Sequence, residues 1–234
     1  MSNNILILGD SGTGKSTSIR TLPPKETFII SILGKQLPFR GSNKNYTKLS
    51  TSGLEGNFYC TDVGSQIKRT IDLINNKRKE IKYLVLDDLG YVIMNSFMKR
   101  ALLKGYDKFS EIASEFNTAI ETLNNLRDDL FVIVTMHIET DKQGKTKPKT
   151  IGNMIDQYIC IEGTFNTVLH TSVTDGNYKF ITNNDGIHMA KSAMGLFDTQ
   201  HIDNDLMLVI NKINNYLNED ITDISKFKIQ GAAA

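Results

Sequence analysis

The stretch Gly9-Asp10-Ser11-Gly12-Thr13-Gly14-Lys15-Ser16-Thr17 constrains this chain more than any other. It follows the apolar run Ile5-Leu6-Ile7-Leu8 and precedes a helix-compatible segment over 17–21, so it reads as strand, glycine loop and helix in succession. A loop that wraps a triphosphate must bring several backbone N–H groups within hydrogen-bond distance of it, and a Cβ obstructs that approach. The helix that follows adds unpaired N–H groups and the positive end of its dipole. On this reading residues 9–17 cradle ATP. Lys15 supplies a mobile cation to the β and γ phosphates, and the Ser16 hydroxyl ligates Mg²⁺.

A second strand brings acid to the same place. Residues 81–88 are apolar and end in Asp87-Asp88, which is where a metal-facing carboxylate is expected downstream of a phosphate loop. Asp87 fits the Mg²⁺ position, usually through water, and Asp88 is placed to orient or deprotonate an attacking water. The competing reading makes Asp87-Asp88-Leu89-Gly90 a plain turn. A further buried strand over 130–137 ends on His137. That residue is either a structural histidine or a sensor of the γ-phosphate at the sheet end where ligands of open α/β sheets bind.

The remaining pattern suits an α/β sandwich. Pro23-Pro24 ends helical structure, and residues 27–33 read as a buried strand of the kind found in parallel sheets covered on both faces. Residues 34–57 are rich in Gly, Ser, Asn and Lys and read as a long loop or a small hairpin around 46–49. A helix is expected over 64–79, capped by Asp62, with Lys77-Arg78-Lys79 as its solvated end. Residues 107–127 carry the clearest apolar stripe, Phe109, Ile112, Ala113, Phe116, Ile120, Leu123 and Leu126. Strands are expected over 157–161, 167–173 and 178–182, the last two joined at Asp175-Gly176, and a closing helix over 203–218.

Lys142, Lys145, Lys147 and Lys149 fall in a glycine- and proline-containing stretch with few apolar anchors. It reads either as a mobile loop touching a nucleic-acid backbone or as a solvated loop with no partner. The formal net charge of +1 draws the whole chain to neither nucleic acid nor membrane, so any such partner must be met by a local patch. Cys60 and Cys160 form no metal-binding pattern and read as reduced, mostly buried thiols. With no apolar run near the ~18 residues of a membrane span, the expected location is the cytoplasm, without membrane association. Residues 1–218 are expected to form a single domain and 219–234 a C-terminal tail.

The motifs Gly9–Ser16, Leu84-Val85-Leu86-Asp87-Asp88, Thr135-Met136-His137 and Met189-Ala190-Lys191 together give the chain a resemblance to the RecA-like P-loop ATPases carried by bacteriophages. Among these it looks most like small AAA-type or single-strand annealing ATPases. The resemblance implies a P-loop NTPase fold: a mainly parallel central sheet flanked by helices, with a late antiparallel hairpin. It also implies ATP hydrolysis with Mg²⁺ coupled to single-stranded DNA, and a homo-oligomeric ring or filament. Lys191 fits the basic residue that reaches a neighbouring subunit's γ-phosphate, with a plain surface lysine as the alternative. The DNA-holding loop corresponds to lysines 142–149. The chain departs from the pattern after its second strand, where residues 28–33 run into Gly34-Lys35-Gln36 without the usual glutamate. Asp88 is then the nearest substitute, and ATP binding with little turnover is the alternative activity.

Overall fold

The computed structural model describes residues 3–105, 107–151, 156 and 159–219. Its strands are β1 (Asn3–Leu8), β2 (Thr27–Ser31), β3 (Phe58–Cys60), β4 (Tyr83–Asp87), β5 (Phe131–Met136), β6 (Ile138–Thr140), β7 (Thr146–Pro148), β8 (Thr167–Thr174), β9 (Asn177–Ile181) and β10 (His201–Asp203), with a one-turn helix α1 (Ser42–Asn45) between β2 and β3. Eight of them form the central sheet, in the order β10-β9-β8-β1-β5-β4-β2-β3. From β3 to β8 every neighbouring pair is parallel, whereas β9 returns antiparallel beside β8 and β10 antiparallel beside β9. The β8–β9 turn holds Asp175 at φ 51° and Gly176 at φ 76°, the two positive dihedrals that a tight hairpin turn favours.

Period-two alternation explains why the sheet is covered on both sides. Leu6 and Leu8 of β1, Leu84 and Leu86 of β4, and Val132 and Val134 of β5 face one core. Against that face lie α2 (Gly64–Lys77) through Ile67, Ile71 and Ile74, α3 (Tyr91–Lys99) through Val92 and Ile93, and α4 (Asp107–Glu121) through Ile112 and Phe116. The intervening residues Ile5, Ile7, Val85 and Ile133 face a second core. There Ile19 meets Leu206, Val209, Ile210 and Ile213 of the closing helix Leu206–Leu217. Asp205 caps that helix by accepting from the Leu208 N–H at 3.1 Å.

Several elements differ from the sequence-based expectation. The segment after the glycine loop is a six-residue 3-10 helix, Ser16–Thr21, so the dipole contribution of a long α-helix is missing and the loop's own N–H groups carry more of any phosphate contact. Asp62 does not cap α2; its carboxylate is taken by Asn95 at 3.1 Å and Lys99 at 2.7 Å. Arg78 is buried rather than solvated, because its guanidinium donates to the carbonyls of Gly53 and Gly56 and pairs with Glu80. The lysine-rich stretch is a two-stranded ribbon, β6 (Ile138–Thr140) and β7 (Thr146–Pro148), whose turn is held by Asp141 accepting from the N–H groups of Gln143 and Lys145. Cys60 and Cys160 are both exposed free thiols, the first at the end of the edge strand β3. The strand expected over 157–161 falls partly outside the described residues; Ile161 begins the 3-10 turn Ile161–Thr164. Of the expected tail 219–234, residues 220–234 lie outside the described residues. Among the described residues no helix is long and apolar enough to cross a membrane.

Candidate nucleotide site

Strand register assembles the site. Ser31 pairs with Asp87, and Thr135 with Ile7, so the carboxyl ends of β2, β4, β5 and β1 finish side by side and deliver the glycine loop, the two aspartates and His137 to one edge. Ligands of open α/β sheets bind at such ends. The loop is closed by packing that tolerates no side chain at two positions. A Cβ on Gly9 would lie 1.9 Å from Thr171 Oγ1, and one on Gly14, at φ 103°, 2.8 Å from the Tyr178 ring. Thr13 ties the loop to β8: its hydroxyl donates to the Asp10 carbonyl at 2.8 Å and lies 2.5 Å from the Thr171 hydroxyl.

Lys15 is folded into the loop, its Nζ donating to the Gly9 carbonyl at 2.9 Å and the Asp10 carbonyl at 2.8 Å. Burial lowers its pKa, while Asp88, Asp87 and Asp10 pull the other way. Ser16 Oγ donates to Asp87 Oδ1 at 2.8 Å, and Thr135 Oγ1 donates to the same oxygen at 2.9 Å. Burial first, and the Asp88 charge second, push the Asp87 carboxyl up to about 6. A hydroxyl and a carboxylate in direct contact form a hard oxygen pair suited to Mg²⁺, which takes few protein ligands and completes its shell with water and phosphate. Among the described residues no cluster of three or more His, Cys, Asp or Glu able to hold a metal occurs.

Asp88 leaves the strand at φ 63°, a left-handed conformation uncommon for a residue with a Cβ. Its N–H donates to Thr135 Oγ1 at 2.8 Å, and its carboxylate stands 3.5 Å from His137 Nε2 and 3.9 Å from Lys35 Nζ. The His137 ring meets Tyr91 edge-on at 5.8 Å between centroids. Burial chiefly, and the nearby Lys15 charge, lower its pKa and favour the neutral imidazole.

These groups line a cavity of about 370 Å³ that also takes in Lys35, Gln36 and Tyr178. In the sequence Lys35 and Gln36 stand out only as the place where a glutamate is missing, and Tyr178 only as part of a strand. Tyr178 and the loop are 164 positions apart at Gly14, and the strand order alone unites them. Lys35 had a visible signal: it follows a glycine just past the apolar run 28–33, where an acid is usual. Beyond Ser11 and His137 a neighbouring cavity of about 200 Å³ is lined by Asp10, Tyr91, Met94 and Lys149.

The remaining candidates lie elsewhere. Lys147 is held by Glu139 at 3.0 Å and by Asp156, which leaves Lys142, Lys145 and Lys149 as the ribbon's exposed lysines. Lys149 stays near the site because its N–H donates to the His137 carbonyl at 2.8 Å. Lys191 does not approach its own chain's loop. It forms a backbone bridge with Val168 and lines a cavity of about 500 Å³ with Asn3 and Asn4, at the opposite end of β1.

The parallel sheet, the closed glycine loop and the paired acids define a P-loop nucleotide-binding ATPase fold. A family model described as AAA domain matches residues 1–192, and the chain belongs to that family as an AAA-type P-loop ATPase. No curated protein matches the chain.

Proposed function

We propose that this protein binds and hydrolyses ATP with Mg²⁺ and couples the cycle to single-stranded DNA as a homo-oligomer, in phage recombination, repair or replication. The observation that carries the nucleotide reading is the contact between Ser16 and Asp87 beneath the glycine loop, with Lys15 beside it. In this reading residues 9–17 hold the phosphates, and Ser16 with Asp87 holds Mg²⁺, which when bound neutralises charge building on the phosphate oxygens. Asp88 orients water and accepts its proton, and neutral His137, 3.5 Å from that carboxylate, reports on the terminal phosphate. Support for a DNA partner comes from the ribbon β6–β7, whose exposed Lys142, Lys145 and Lys149 rise from the strand end that carries His137. Lys191, remote from its own loop, acts in this account on the site of a neighbouring subunit.

Phosphate release with and without single-stranded oligonucleotide tests the reading. We expect DNA-stimulated turnover, and a loss in Asp88→Ala of about 100-fold or more, the usual effect of removing a positioned general base. A second reading, ATP as an assembly ligand with little turnover, is favoured by Lys35-Gln36 standing where an acid would otherwise follow β2. Turnover that is negligible and unmoved by DNA, with ATP binding intact, would select it.

A further inference from the structure

We infer that Lys35 is a second phosphate-contacting cation of the same chain, one that recognises the terminal phosphate and so distinguishes ATP from ADP. The inference rests on the nucleotide reading of the site and adds a specificity residue to it.

The local chain aims Lys35 at the cavity. After β2 the Gly34 N–H donates to Ser31 Oγ at 3.1 Å, and the left-handed Gly34 turns the backbone where a Cβ would meet Cys60 Sγ at 2.7 Å. The turn is therefore set by close packing. Lys35 then reaches across the carboxyl end of β4: its Nζ lies 3.9 Å from Asp88 Oδ2 and 5.6 Å from the Tyr91 ring centre. Its side chain remains 65% exposed, so the ammonium is free to reorient toward a ligand in the cavity it lines.

Charge favours such a group. Mg²⁺ at Ser16 and Asp87 would offset that carboxylate, but Asp88 also lines the cavity, and a terminal phosphate arriving beside it meets a repulsion that a cation at Lys35 relieves. The two lysines occupy different places. Lys15 is bonded into the loop at Gly9 and Asp10, whereas Lys35 stands at Asp88, the acid that also faces His137. On the nucleotide reading the loop end holds the phosphates that ADP and ATP share, with Lys15 reaching on to the γ-phosphate, and the Asp88 end, where Lys35 stands, faces only the phosphate that ATP alone possesses. Lys35 occupies the stretch where a glutamate was expected, so a cation that reads the nucleotide replaces an acid that would act on water.

The test is calorimetric titration of wild type, Lys35→Ala and Lys35→Arg with Mg²⁺ and either ADP or a non-hydrolysable ATP analogue. Loss of one charge-assisted hydrogen bond predicts analogue binding weaker by roughly 10-fold or more in Lys35→Ala, with ADP binding changed by less than about twofold. Lys35→Arg should restore most of the preference for the analogue. Equal weakening of both ligands, or no change in either, overturns the inference and leaves the nucleotide reading standing. Failure of wild type to bind either nucleotide overturns both. Retained ADP affinity in Lys35→Ala also certifies that the variant is folded.

Discussion

The two ends of the central sheet differ in a way that volume does not predict. At the amino end lies the larger cavity, about 500 Å³, lined by Asn3, Asn4, Lys191 and Tyr216. At the carboxyl end the cavity is smaller, about 370 Å³, yet its wall holds Lys15, Asp87 and Asp88, each at most 7% exposed. Burying an ionisable group is costly unless partners compensate, and the carboxyl end supplies them through Ser16, Thr135, the loop carbonyls and His137. Concentrated, compensated charge therefore marks the candidate site better than empty space does.

That contrast can be broken by pH. Two buried groups near the carboxyl end have opposite displacements: Asp87 is pushed up to about 6, and His170, which pairs with Leu8, is pushed down to about 4 by burial and then by His188. An acid whose folded pKa is raised makes the native state bind more protons, so its contribution to stability falls as pH rises from about 4 to 6. A histidine whose folded pKa is lowered does the reverse, and its contribution is lost as pH falls from about 6.5 to 4. In the ligand-free protein the two contributions run in opposite directions. Urea unfolding across pH 4–7 should show Asp87→Asn gaining stability as pH rises and His170→Leu losing it, each by on the order of 2–3 kcal/mol relative to a flatter wild type. Parallel profiles in all three proteins would remove the contrast.

The smallest effect belongs to the amino end. Because Lys191 bridges Val168 through its backbone and stands apart from its own loop, Lys191→Ala should change nucleotide affinity by less than about twofold in dilute protein, as for an ordinary surface substitution. A tenfold loss measured by the same calorimetry would bring that end into the site.

What the sequence revealed and what it hid follow from sequence distance. The glycine loop is legible because its chemistry occupies consecutive residues, and Asp87 because a buried strand ending in acid is a local pattern. The unbroken apolar run over 27–33 likewise disclosed a sheet covered on both faces, and the two cores flanking the sheet bear it out. Tyr178 and Asn204, whose amide donates to the Gly14 carbonyl at 3.3 Å, reach the loop only because β8, β9 and β10 extend the sheet past β1. Arg78 looked like part of a solvated basic run, since nothing nearby in sequence announces the Gly53 and Gly56 carbonyls that bury it. The ribbon at 138–148 looked like a loop because its strands are three residues each, too short for alternation to register.

The central claim, that the carboxyl end of the sheet is a nucleotide site organised by the glycine loop, is tested most directly by titrating Mg²⁺·ATP into wild type and Lys15→Ala, with a thermal melt to confirm folding. Lys15 is the buried cation bonded to the loop, so its truncation should weaken binding by about 100-fold or more. Equal affinity in the two folded proteins would contradict the account.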